Sequence, residues 1–367
     1  MAHIVIDARI INSGTGTYVA KLLEYLQQID TKNSYTVLLR EKDKDYWHPA
    51  ASNFKTAVAE FDNYSFSEQI GFKKFLDQLA PDLVHFCMPQ QPVFYHGARV
   101  TTMHDLTLLN TYNSDKNWFV FHAKQLVGRW VFRRIAHISD HVIAISENTK
   151  REYQEFCHIP DSKISVIYEA GEAKPGTLEE YKDLPFNEFV LYVGQQPDYK
   201  NIRRLIQAHQ KMLVSKPNLG LVLVGRMNPD TAANKAWAEG QGYKNIHFTG
   251  FVEDSQRDWL FTKARAYVFP SLMEGFGLPP LEAMSYGTPV ISSNTSCMPE
   301  ILGCAAAYFN PLDIEDITST VLRVINDEPE RQKLIKSGYK QISKYSWRKM
   351  AEETLEVYKK VLMNSSV

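Results

Sequence analysis

PSLMEGFGLPPLEAMSYGTPV, residues Pro270–Val290, reads as the centre of a strand-helix-strand unit. Before it, AYVF at Ala266–Phe269 is a short β-branched and aromatic run of strand type. Glu274–Leu278 is a glycine-rich loop, and Pro279 and Pro280 suit the first turn of a helix, where a missing N–H leaves no intrahelical bond unmade. Gly287 is a stop signal, and Pro289–Ser292 begins the next strand. Strands joined by a crossover helix lie parallel, because a parallel pair cannot be closed by a tight turn.

Working outward, the same alternation extends along the whole chain. Strands are expected near Ile4–Ile6, Tyr35–Leu39, Asp82–Phe86, Val100–Met103, Val142–Ile145 and Ile164–Tyr168. A second series is expected at Phe189–Val193, Leu221–Val224, Ile246–Phe248, Ala266–Phe269 and Pro289–Ser292. Between them, GEAKPGTLEEYKDLPFNE at Gly171–Glu188 is polar, rich in Pro and Gly, and without periodicity, as a linker is. The fold class is therefore α/β: two doubly wound parallel-sheet (Rossmann-like) domains, residues 1–171 and 172–345, facing a central cleft. In such folds ligands bind beyond the carboxyl ends of the strands, so the loops that follow strands carry the function.

The bulk properties agree. At about 150 residues per domain, 367 residues suggest two domains. The 44% hydrophobic and 23% charged composition excludes disorder, collagen and small disulfide scaffolds. Lys+Arg 41 against Asp+Glu 42 gives net charge -1, no field for a nucleic-acid partner. Cys87, Cys157, Cys297 and Cys304 show no zinc or redox spacing, which predicts reduced thiols. MAHIVIDARI enters a strand without the basic and apolar regions of a signal peptide, and no apolar run has the length of a spanning helix. A cytoplasmic protein is expected.

Four loops could carry chemistry. In NSGTGTY, Asn12–Tyr18, Gly14 and Gly16 let the backbone approach a ligand, and the following helix N-terminus suits a phosphate; a plain tight turn explains the loop equally well. MHDL ends the fourth strand with His104, an acid, base or hydroxyl donor whose tautomer Asp105 could fix. In GQQPDYKN, Lys200 precedes a helix start, which makes an anion site, or else is a solvated lysine beside an Asn201 cap. In the Pro270–Val290 stretch, Gly275 and Gly277 free backbone N–H groups to form an anion nest. Glu274 stands over that nest and Glu282 one or two residues inside the helix. Carboxylates so near an anion site need neutral hydroxyls to bind, and a sugar and a ribose supply them.

Taken in order, SGTGTYVAKLL, VTTMHDLTLL, AISENTKREY, YVGQQPDYKNIRRLIQAH, FTGFVEDSQRDWLFTKARAYVFPS, EGFGLPPLEAMSYGTPVI and SSNTSCMPEILGCAAAYFNPLD resemble the family 4 retaining glycosyltransferases of GT-B architecture. Glu274 and Glu282 match that family's E-x7-E element. The resemblance implies sugar transfer from a nucleotide diphosphate donor with retention, and neither cofactor nor metal. It implies that Glu282 binds the donor ribose and that Glu274 meets the sugar hydroxyls. By the same resemblance, backbone at Gly275, Phe276, Gly277 and Leu278, with Lys200, holds the diphosphate, and Gly14 and Gly16 close on it from the other domain. His104 then meets the transferred sugar, and backbone near Phe251 and Val252 meets the base. Glu274, His104 and Lys200 are the catalytic candidates. Many relatives carry RK where this chain has Tyr199 before Lys200, so one phosphate contact is missing or supplied elsewhere.

The family resemblance also implies that the C-terminal helix, residues 346–367, crosses back to the first domain, with Trp347, Met350, Leu355, Tyr358 and Leu362 as its apolar stripe. NWFVFHAKQLVGRWVFRRIAHIS, Asn117–Ser139, reads two ways: Trp118, Phe119, Phe121, Trp130 and Phe132 with Lys124, Arg129, Arg133 and Arg134 could lie on an anionic membrane as a peripheral contact, or the aromatics pack on the sheet while the arginines face solvent. The second is the commoner arrangement. The favoured donor is GDP-mannose, and the acceptor a glycan or lipid-linked saccharide of surface glycan synthesis. UDP-glucose or UDP-N-acetylglucosamine is the rival donor, and a non-catalytic two-domain small-molecule binding protein the rival of another class.

Overall fold

Strand pairing starts at the N-terminus, where Ile4 lies beside Tyr35 on one side and Leu83 on the other, parallel to both. In the computed structural model, which describes residues 1–62, 65–110, 118–173 and 176–365, this register propagates into a seven-stranded parallel sheet. Its strands are β1 (His3–Asp7), β2 (Ser34–Leu39), β3 (Phe54–Val58), β4 (Leu83–Phe86), β5 (Arg99–Met103), β6 (His141–Ala144) and β7 (Ile164–Val166), in the order β3-β2-β1-β4-β5-β6-β7. A second, six-stranded parallel sheet has β8 (Phe189–Val193), β9 (Gly220–Val224), β10 (Ile246–Gly250), β11 (Ala266–Phe269), β12 (Val290–Ser293) and β13 (Ala306–Phe309), ordered β10-β9-β8-β11-β12-β13. The expected class, two doubly wound α/β sheets, is what forms.

The chain divides into two units, Met1–Glu169 with Ser346–Val367, and Ala170–Tyr345. In the first, the central strands β4, β5 and β6 are buried throughout, as strands covered on both faces must be. Helix Gly16–Ile29 covers one face with Val19, Leu22, Leu23 and Leu26. The C-terminal helix Trp347–Ser365 packs beside it, burying Trp347, Met350, Ala351, Leu355, Tyr358 and Val361. The stripe steps from Tyr358 to Val361 rather than to the expected Leu362, which is half-buried, because the buried face recurs at three- and four-residue intervals. Tyr358 also ties this helix to β4 by a 2.5 Å hydrogen bond to His85 Nδ1.

Two edge strands were absent from the expectation. In β3, FKTAV, Lys55 and Thr56 are exposed, so the apolar signal is diluted; in β13, AAYF, the alanines give little strand preference. Among the described residues no helix is long and apolar enough to cross a membrane. Helix Trp118–Ile138 forms as expected; Asn117 and the side chains of Trp118, Phe119, Phe121 and Lys124 lie outside the described residues. Phe132 is buried, whereas Trp130 is exposed and Arg129 and Arg133 stack on the Phe156 ring at 5.0 and 4.7 Å. The arginines at 129, 133 and 134 are exposed, as expected, and Phe132 packs inward; Trp130 is the aromatic that departs from the expected division.

Candidate functional site

The order of each sheet reverses at one place, and there the loops beyond neighbouring strands diverge to leave a crevice. In the second unit that switch lies between β8 and β11. Lys200 follows β8 and Glu274 follows β11, so adjacency in the sheet brings together residues far apart in sequence. Their side chains form an ion pair, Lys200 Nζ to Glu274 Oε1 at 2.5 Å, with both largely buried.

Local geometry fixes each partner. Lys200 ends a short 3-10 turn, Asp198–Lys200, and Asn201 takes a left-handed conformation (φ 61°). Asn201 does not cap the next helix, Ile202–Met212, with its side chain. Its Nδ2 instead donates to Pro270 O and Pro311 O at 3.1 and 2.8 Å, clamping the helix start to the ends of β11 and β13. Leu272 N donates to Tyr199 O at 2.8 Å, joining the two loops a second time. Glu274 is held through its backbone: its N–H donates to Ser296 Oγ at 3.1 Å, and its carbonyl accepts from Ser296 Oγ at 2.7 Å and Cys297 Sγ at 3.2 Å. Beneath, the buried Tyr192 and Tyr267 hydroxyls donate to the backbone carbonyls of Gln195 and Val193. Burial first, and for Tyr192 the Glu274 charge next, push both phenols up, so they stay neutral donors. The sequence reading missed this supporting pair, which inward alternation in β8 and β11 could have signalled.

Past Glu274, Phe276 is buried edge-on to Tyr345. Gly277 has φ 90°, a left-handed conformation, and a Cβ there would fall 2.6 Å from Met298 Cε. Helix Leu278–Ser285 starts directly after it, with prolines at 279 and 280. Neither proline has an N–H, so the helix end can offer a ligand the amides of Gly277 and Leu278 but not the next two. Glu282 is in the second turn of this helix, deeper than the one or two residues expected, because both prolines sit inside the first turn. Its missed counterpart is Arg257: burial opposes that cation, but Glu282 and a hydrogen bond to Asp258 outweigh it and leave its pKa raised.

Phe251 and Val252 follow the edge strand β10. Phe251 is exposed, its ring 5.2 Å from the Arg226 guanidinium. β10 lies three strand spacings from β11, roughly 14 Å. The structure does not bring these two residues to the Lys200–Glu274 pair; only an extended ligand could span both.

In the first unit the switch lies between β1 and β4, and the Asn12–Tyr18 loop follows β1. Gly14 has open space around it, but a Cβ on Gly16 would fall 1.8 Å from Ile11 O. Gly16 is therefore required by the chain's own close packing, and only Gly14 retains the freedom expected of both. His104 follows β5 and is 8% exposed. Its Nε2–H donates to Cys87 O at 3.0 Å, while Nδ1 lies 3.4 Å from Glu169 Oε1. Asp105, expected to fix the tautomer, instead accepts from Thr107 N at 2.9 Å, a turn closed by its own neighbours. Glu169, the missed partner, is a buried acid at the end of an apolar run.

Residues 12–170 match the family described as Glycosyltransferase Family 4, and residues 180–341 match Glycosyl transferases group 1. The chain is 28% identical to the serotype-specific mannosyltransferase WbdA of Escherichia coli over 372 residues, which is 92% of this chain and 44% of WbdA. The chain thus spans under half the length of that relative. It is 29% identical to the O-antigen chain mannosyltransferase B of Escherichia coli, covering 73% of each chain. Sucrose-phosphate synthase from Thermosynechococcus elongatus has the same fold (TM-score 0.77, 18% identity, 99% of this chain and 100% of that one). The chain belongs to the family 4, group 1 glycosyltransferases with the GT-B fold.

Proposed function

We propose that this protein is a retaining, metal-independent hexosyltransferase that moves mannose from GDP-mannose to a saccharide or lipid-linked acceptor in surface glycan synthesis on the cytoplasmic side. The observation that carries the reading is the part-buried Lys200–Glu274 ion pair at the β8/β11 switch, with Glu282 on the helix that follows. Mannose is favoured because the relatives described above are mannosyltransferases by name.

As the bond from sugar to diphosphate breaks, negative charge grows on the leaving group and positive charge on the sugar ring. Lys200 and the Gly277 and Leu278 amides stabilise the first; Glu274 takes the sugar hydroxyls and faces the second. Lys200 supplies the leaving-group charge that a divalent metal would otherwise bring. Glu282 binds the ribose, and the base lies toward Phe251 and Val252 at the far edge of the sheet. The departing phosphate takes the acceptor's proton, so no protein base is needed. For His104 to meet the sugar, one ring nitrogen must exchange Cys87 O or Glu169 for a sugar hydroxyl.

Calorimetric titration in EDTA with GDP-mannose, UDP-glucose and UDP-N-acetylglucosamine, followed by product analysis, tests this. GDP-mannose binding most tightly and being turned over is the expected result. Preference for a UDP sugar overturns the donor assignment, metal-dependent turnover the metal-independent mechanism, and binding without turnover the enzyme reading.

A further inference from the structure

The N-terminal end of the first sheet, opposite the loops discussed above, holds a buried cation without a salt-bridge partner among the described residues. Arg99 opens β5 and is 2% exposed. Among the described residues its guanidinium enters no ion pair. Its Nη1 reaches Gln91 Oε1 only at 3.4 Å, its plane lies 5.1 Å from the Tyr95 ring centroid, and its Nε has no hydrogen-bond partner. Burial pulls its pKa down to about 10, a sign that the cation is under-solvated. A buried charge left this way calls for an anion.

Arg99 borders a cavity of about 420 Å³ lined also by Arg134, His96, the Gly97–Ala98 backbone and Asp140. Arg134, on helix Trp118–Ile138, adds a second cation; burial is the main cause of the lowered Arg99 pKa, Tyr95 and Asp140 oppose it, and the field of Arg134 adds to it. Asp140 is the one acidic group on this lining, and its Oδ2 is engaged by the Arg99 backbone N–H at 2.7 Å. Beyond Asp140 a neighbouring cavity carries Lys163 and Lys360, with His141 held neutral by burial at a pKa of about 4. Cations thus flank the single carboxylate on both sides. One carboxylate ligand would satisfy one guanidinium fork, whereas a tetrahedral phosphate has oxygens for two.

We propose that the Arg99–Arg134 cavity is a binding site for a phosphate ester, at the opposite end of β5 from His104. Five residues of strand separate Arg99 from His104, roughly 16 Å, so one small ligand does not occupy both places. The volume exceeds that of a bare ion and admits the ester substituent. Either a soluble phosphate ester or a phospholipid headgroup carries this chemistry.

Inorganic phosphate is the probe, titrated at constant ionic strength against wild type, Arg134→Gln and Lys200→Ala with calorimetry and melting temperature as readouts. Arg134 is exposed, so its substitution leaves the fold intact, checked by an unchanged melting temperature in chloride. Saturable binding that weakens at least tenfold in Arg134→Gln and persists in Lys200→Ala is expected. Sedimentation with phosphatidylglycerol–phosphatidylcholine vesicles, against phosphatidylcholine alone, separates the sources. Arg134-dependent binding to the anionic vesicles identifies a headgroup, and phosphate binding without it a soluble ester. No saturable phosphate binding, or binding lost in Lys200→Ala but kept in Arg134→Gln, overturns the proposal.

Discussion

Lys200 and Glu274 hold each other in a part-buried ion pair, and this fixes how each should respond to removal. In Lys200→Ala the Glu274 carboxylate is left facing the proposed diphosphate position with no cation, so both donor binding and turnover should fall, by about 2 kcal/mol or more in kcat/KM. Glu274→Ala frees the lysine; nucleoside diphosphate affinity should be kept or improved while turnover falls more than about tenfold. Glu282→Ala should weaken donor and free nucleoside diphosphate by a similar factor, since the ribose is common to both. Binding and steady-state kinetics on the three variants check this, and identical profiles for the two glutamates would reject the division of roles. The two glycines of the first loop differ as well. Gly14→Ala should leave the melting temperature unchanged, whereas Gly16→Ala drives a Cβ into Ile11 O and should lower it by several degrees. At this scale the sequence showed Lys200 and Glu274 as separate candidates, because their meeting depends on which strands are neighbours. It misassigned the partner of His104, since Asp105 is adjacent in sequence but Glu169 is adjacent in space.

The C-terminal helix Trp347–Ser365 belongs with the first sheet, and its polar anchor is Tyr358 on His85. His85 Nε2 in turn bonds Thr102 on β5, which also bonds Tyr18 on helix Gly16–Ile29, so one buried chain links four elements. Tyr358→Phe should cost about 1–3 kcal/mol by stranding a buried nitrogen, visible as a lower denaturant midpoint at unchanged slope. Deleting residues 346–367 should expose the apolar surface of helix Gly16–Ile29 and unfold or aggregate the first unit; an unchanged unfolding curve would contradict the packing. Elements were legible where periodicity was strong: β8 and β11 lie where the residue pattern put them, as does this helix to within a residue or two. β3 and β13 were not, because edge strands need only one good face or neighbour and their sequences carry little signal.

Across the whole molecule, buried neutral histidines set an acid limit on stability. Burial brings His85 to about 3, with His104 adding to the shift, and brings His141 and His209 to about 4. Each folded value lies below the ordinary 6.5, so the unfolded chain binds more protons as pH falls through 6.5 toward 4. The stability is fully present above about 6.5 and is lost below it, each group adding up to about 1.4 kcal/mol per pH unit. Melting temperature against pH should drop across this window, and His85→Gln should flatten the slope even if it lowers the curve; an unchanged slope would contradict the assignment. The doubly wound class was legible from strand alternation, whereas the switch points that make Lys200 and Glu274 neighbours appear only once strand order is known. On the proposed function, this pair is where a nucleotide-sugar donor reacts. The most direct test is to titrate GDP and assay GDP-mannose turnover, in EDTA, with wild type and Glu274→Ala side by side. Wild type should bind GDP and turn over the sugar nucleotide, and the variant should bind GDP at least as well with turnover reduced more than about tenfold. Loss of GDP binding together with unchanged turnover per bound donor in the variant would contradict it.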